Sequence, residues 1–168
     1  MKYDPHIHHR RSIRLQKYDY SQSGSYFVTI CIQDKQYYFG KIVDQKMILS
    51  KIGQTANKCW TDIPKHYPNV VLDEFIIMPN HIHGIIEITS NATVGAQNFV
   101  PLRDEQKTNK FQHIIPKSLG SIIRGYKIGV KKWCNENGFE FFEWQRGFYE
   151  HIIRDKGALY NEMVTKLI

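Results

Sequence analysis

The stretch Phe75-Ile76-Ile77-Met78-Pro79-Asn80-His81-Ile82-His83-Gly84-Ile85-Ile86-Glu87-Ile88 decides how this chain is read. Two apolar runs rich in β-branched residues flank a Pro-Asn pair. Proline fixes φ and asparagine tolerates turn dihedrals, so the pattern predicts two strands joined by a tight turn, with the histidines opening the second. Side chains alternate faces along a strand. His81 and His83 then share one face, roughly 6.7 Å apart along the backbone, and Ile82 points into the core. Two imidazoles at that spacing can lean together onto one ion, each at about 2.1 Å, and leave other coordination positions open. The same spacing suits two histidines that sit at a half-buried strand edge and hold nothing.

Upstream, Ser21-Gln22-Ser23-Gly24 is a turn cluster, and Ser25-Tyr26-Phe27-Val28-Thr29-Ile30-Cys31-Ile32 has strand composition. Tyr37 to Val43 and Lys46 to Leu49 can pair as a small hairpin. Ser50 is placed to cap a helix over about Lys51 to Ile63, whose Ile52, Ala56, Cys59, Trp60 and Ile63 fall on one face; Pro64 stops it. Val70-Val71-Leu72 leads through Asp73-Glu74 into the strand before the histidines.

Downstream, residues 89–117 turn polar and predict a long surface excursion. Ser118 then caps a second long helix with Leu119, Ile122, Ile123, Tyr126, Val130, Trp133 and Cys134 in one stripe, ended by Gly138. A strand is predicted over Trp144 to Arg154, with Tyr149, His151 and Ile153 on one face. A final helix follows Asp155-Lys156-Gly157.

At 168 residues, with 42% hydrophobic and 13% aromatic residues, the chain suits one domain that builds its core without staples. Residues 1–20 are expected to form a basic arm and 21–168 the domain. Three dispersed cysteines suggest neither a disulfide framework nor a zinc ribbon. No stretch approaches the ~20 apolar residues of a membrane span, and the expectation is a cytoplasmic protein without membrane contact. The 23 Lys and Arg against 16 Asp and Glu give a charge of +7, which favours a polyanionic partner without identifying one.

The Phe75–Ile86 stretch resembles the core motif of the single-tyrosine HUH transposases, and more narrowly of the REP-associated tyrosine transposase branch. Arg10-Arg11-Ser12-Ile13-Arg14-Leu15, Tyr18-Asp19-Tyr20-Ser21-Gln22-Ser23-Gly24-Ser25-Tyr26-Phe27-Val28-Thr29-Ile30-Cys31 and Trp144-Gln145-Arg146-Gly147-Phe148-Tyr149-Glu150-His151-Ile152-Ile153-Arg154 carry the same resemblance in the same order. It implies an α+β, ferredoxin-like antiparallel sheet with two long helices on one face and the His pair on a central strand. It also implies a homodimer with composite active sites.

The activity implied is cleavage and rejoining of single-stranded, hairpin-forming DNA through a 5′-phosphotyrosine bond, assisted by Mg²⁺ or Mn²⁺ on His81 and His83. A phenol, with a pKa near ~10, needs such a cation close by. Arg10, Arg11, Arg14, Arg124, Lys127, Lys131 and Arg146 are the expected DNA contacts. The family's tyrosine, on the last helix before an Asn-Pro pair, would fall at about Thr165 or Lys166, where this chain has no tyrosine. Tyr160 on that helix and Tyr149 on the preceding strand are the substitutes. A relative that binds structured single-stranded DNA without cutting it is the alternative. A water-activating phosphoesterase would need a carboxylate at the pair, and Glu87 lies roughly 13 Å along the strand.

Overall fold

The structure, a computed structural model, describes residues 18–90 and 115–154. Six strands and three helices follow in the order β1 (Gly24–Cys31), β2 (Gly40–Val43), β3 (Lys46–Leu49), α1 (Lys51–Thr61), α2 (Ile63–His66), β4 (Val70–Met78), β5 (His81–Ile88), α3 (Leu119–Glu136) and β6 (Tyr149–Ile153). The main sheet is antiparallel in the order β4-β5-β1-β6, and β2-β3 is a separate hairpin. With that hairpin set aside, this is the β-α-β-β-α-β arrangement of a ferredoxin-like fold, as expected. The histidine strand β5 is central.

The two faces of the sheet differ. Tyr26, Val28 and Ile30 of β1 and Ile82, Ile86 and Ile88 of β5 share a buried cluster with Ile52, Ala56 and Trp60 of α1 and Ile122, Tyr126 and Val130 of α3. Both long helices therefore cover this one face. Trp60 meets the Tyr126 ring edge-on at 5.3 Å, and the Tyr126 hydroxyl donates to the Ala56 carbonyl at 3.3 Å. A methyl group at Gly84 would overlap the Trp60 ring, so a residue without a Cβ lets α1 approach β5.

Caps behave as the sequence predicts. The Ser50 hydroxyl accepts from the Gly53 N–H and the Ser118 hydroxyl from the Ser121 N–H. Two boundaries move. The first helix breaks at Asp62, and Pro64 sits inside the short α2, where its missing N–H costs nothing. The strand expected from Trp144 begins only at Tyr149. Trp144 makes one isolated bridge to Ile32, and Gly147, at φ +77°, turns the chain before β6 starts.

Tyr18 and Tyr20 pack against the core, so the packed unit already includes residues that were expected in the arm. The rest of that arm, most of the 89–117 excursion and the predicted last helix lie outside the described residues. Among the described residues no helix is long and apolar enough to cross a membrane.

Candidate functional site

The β4–β5 turn is a two-residue hairpin, with Met78 paired to His81. It is pinned from both sides: the Asn80 carbonyl accepts from the Ile32 N–H at 2.9 Å and the Pro79 carbonyl from the Phe39 N–H at 3.0 Å. His81 and His83 therefore leave a fixed turn onto the sheet face opposite the helices. Their Nε2 atoms lie 3.1 Å apart.

Each ring is held by its other nitrogen. His81 Nδ1 lies 2.6 Å from Asn80 Oδ1, an oxygen that can only accept, while the same amide donates from Nδ2 to the Lys35 carbonyl. The His81 proton is thus on Nδ1, and Nε2 carries a lone pair. His83 Nδ1 lies 2.8 Å from Thr29 Oγ1, and the ring stacks on Phe27 at 5.3 Å. A hydroxyl both donates and accepts, so Thr29 supports either His83 tautomer. Burial holds the His81 imidazole below its usual pKa and favours the neutral form, which is the ligand form.

The residues fit a divalent ion. Bonds of about 2.1 Å from two nitrogens to one ion, set at roughly a right angle as in octahedral coordination, need a nitrogen separation of about 3 Å. Second partners that fix ring orientation are the usual accompaniment of metal-binding histidines. Among the described residues, no third His, Cys, Asp or Glu joins the pair.

The register supplies a phenol on the same face. His83 pairs with Thr29, and Thr29 pairs with Tyr149, so the three form one row across β5, β1 and β6. Two strand spacings put the His83 and Tyr149 backbones roughly 10 Å apart. Tyr149 is 39% exposed. Glu87 is on this face too, at the far end of β5. Tyr160, Arg10, Arg11 and Arg14 lie outside the described residues.

The expected DNA-binding cations divide. Arg124 and Arg146 are exposed. Lys127 and Lys131 instead hold the segment that joins α3 to β6. Lys127 Nζ donates to the carbonyls of Gln145, at 2.8 Å, and Gly147, and lies 5.6 Å from the Trp144 ring centre. Burial pulls its pKa down to about 8. Lys131 Nζ donates to the Glu140 and Phe142 carbonyls and pairs with Glu143 at 2.7 Å. These ammonium groups act as tethers here, a use that helical spacing alone does not reveal. Sequence reasoning also missed Thr29 and saw Asn80 only as a turn residue, because strand pairing, which brings Thr29 to His83, is not written in local pattern.

No family model matches the chain. An uncharacterized protein of Haemophilus influenzae is 46% identical over 155 residues, 92% of this chain and 84% of that protein. A second Haemophilus influenzae protein, provisionally named a REP-associated tyrosine transposase, is 27% identical over 86% of this chain and 69% of its own length. Among solved structures, a REP-associated tyrosine transposase bound to a REP hairpin matches with a TM-score of 0.56 at 16% identity, covering 90% of this chain and 68% of that one. That likeness is one of fold. The chain thus shares the ferredoxin-like fold of that solved transposase, with a His-Ile-His strand at the centre of the sheet, and is similar over most of its length to a protein provisionally named a REP-associated tyrosine transposase.

Proposed function

We propose that this protein cuts and rejoins single-stranded DNA flanking a hairpin, using a Mg²⁺ or Mn²⁺ ion held by His81 and His83 and a tyrosine nucleophile. The observation that carries the reading is the convergence of the two Nε2 atoms at 3.1 Å with both Nδ1 atoms already held. When bound, the ion would polarise the scissile phosphate and stabilise the charge that develops on it. Thr29 and Asn80 orient the imidazoles.

Tyr149 is the phenol that the geometry supports, since it shares the row of Thr29 and His83 and is solvent-accessible. Its oxygen would attack phosphorus, forming a phosphotyrosine ester while the bond to the 3′ oxygen breaks. The phenolic proton goes to solvent, and the departing 3′ oxygen takes one up as a hydroxyl. The new ester conserves the bond energy, so a second strand can be joined without a nucleotide cofactor. Tyr160 is the other candidate. The +7 charge and exposed Arg124 and Arg146 suit a phosphate backbone, and a homodimer is the assembly we propose.

The test is incubation of a labelled hairpin oligonucleotide carrying a single-stranded flank with the protein and Mn²⁺. A denaturing gel and mass spectrometry then read any adduct. The expected result is a Mn²⁺-dependent adduct mapped to Tyr149, absent from the Tyr149→Phe and His81→Ala variants. An adduct on Tyr160 would reassign the nucleophile. Tight binding with neither adduct nor cleavage would replace the enzyme reading with that of a non-cutting DNA binder.

A further inference from the structure

Beside the His pair the surface opens into a cleft of about 560 Å³ between the start of the β2–β3 hairpin and the β4–β5 turn. Clefts of roughly 300–1,000 Å³ are the size that holds small ligands or parts of larger ones. Met78, Pro79, Asn80 and His81 line it from the β4–β5 turn, and Tyr37, Gly40, Lys41 and Ile42 from the hairpin side.

The composition of this lining is unusual for a surface. Tyr37 is 73% exposed and Ile42 54%, although both are large and apolar enough to be expected in a core. The backbone between them is anchored at Phe39. The Phe39 N–H and the Ser50 N–H tie the segment to Pro79 and to the start of α1, through the Pro79 and Phe39 carbonyls respectively. Lys41 is exposed on β2, and among the described residues it has no ion-pair partner. An aromatic ring, an aliphatic wall and an ammonium group within one cleft match a nucleotide, whose base stacks on any π-face and whose phosphate pairs with the cation.

We infer that this cleft binds a single-stranded nucleotide next to the scissile phosphate, with the base against Tyr37 and Ile42 and its phosphate at Lys41. The inference rests on the proposed function for its polarity, since His81 lines the cleft and the reacting phosphate would lie beside it. It adds to that reading a place where the flank is gripped. Stacking accepts every base, so Tyr37 contributes affinity more than sequence choice.

The experiment measures fluorescence anisotropy in EDTA, where no cleavage occurs, with two labelled oligonucleotides: a hairpin with a five-nucleotide single-stranded flank and the same hairpin blunt-ended. Wild-type protein is expected to bind the flanked form more tightly. Tyr37→Ala should lose about tenfold on the flanked form and nothing on the blunt one. Tyr37→Phe, which keeps the ring, should match wild type within twofold, and Lys41→Ala should flatten the salt dependence by about one charge. The inference is overturned if wild type does not prefer the flank, if Tyr37→Ala binds both forms like wild type or loses both equally, or if Tyr37→Phe behaves like Tyr37→Ala. Failure of the adduct assay alongside an intact Tyr37 effect would sink the chemistry and leave the nucleotide cleft standing.

Discussion

Replacing Thr29 by valine tests the metal reading through a residue that would not touch the ion. The side chain keeps its shape and its preference for strand, but the hydroxyl 2.8 Å from His83 Nδ1 is lost. For His83 to offer Nε2 to an ion, its proton must sit on Nδ1, and in the variant that N–H faces a methyl group. Taking an acceptor from a half-buried N–H costs about 1–2 kcal/mol, the lower part of the range for a buried donor, which converts to roughly 5–30-fold in affinity. Loss of an outer partner of a metal-bound histidine is expected to cost about 10–100-fold, which overlaps that range. The assay is calorimetric titration of Mn²⁺ into the apo protein. Thr29→Ser, which retains the hydroxyl, should bind within a few-fold of wild type, and His83→Ala should bind far more weakly than either. The fold itself should lose only about 1 kcal/mol in Thr29→Val, measured by urea unfolding. If Thr29→Val binds Mn²⁺ as tightly as wild type while His83→Ala does not, the tautomer argument is wrong.

Gly84→Ala should destabilise the protein by about 1–3 kcal/mol, because the added methyl meets the Trp60 ring inside a packed core; urea unfolding with Trp fluorescence reads both the loss and the displaced ring. Ser50→Ala should cost about 1 kcal/mol, since it removes the acceptor for the Gly53 N–H and a donor to the Tyr38 carbonyl, and it should leave Mn²⁺ affinity unchanged. Lys127 titrates near 8 in the fold, against an ordinary value of 10.5. Between those values the unfolded chain holds the proton and the native state has released it, so this group makes stability rise with pH through that window and supplies no relief below it. Thermal unfolding of Lys127→Met against wild type from pH 7.5 to 10 should show that contribution missing from the variant.

Much of the fold was legible because its signals are local. Ser50 and Ser118 announce their helices, Pro79-Asn80 announces a turn, and alternation around Ile82 assigns the histidines to one face. The ferredoxin-like order came from resemblance, and the pairing in the structure agrees with it. What the sequence hid depends on contacts between distant segments. Nothing near Thr29 says that it meets His83, 54 residues later. Lys127 and Lys131 have the spacing of a solvated cationic stripe, yet their ammonium groups are used by backbone carbonyls 9 to 20 residues on. The early start assigned to the last strand failed at Gly147, whose positive φ interrupts the extended chain.

The pinned Pro79-Asn80 turn has a consequence for how quickly and how tightly an ion could be taken up. When a binding-competent arrangement is present only part of the time, apparent affinity falls by that fraction. Here the two imidazoles are already aimed at one point, and the hydrogen bonds from Ile32 and Phe39 hold the turn there before any ligand arrives. An arriving ion would then find a formed half-shell, and the slow element of the reaction would be sought in the approach of the strand to be cut.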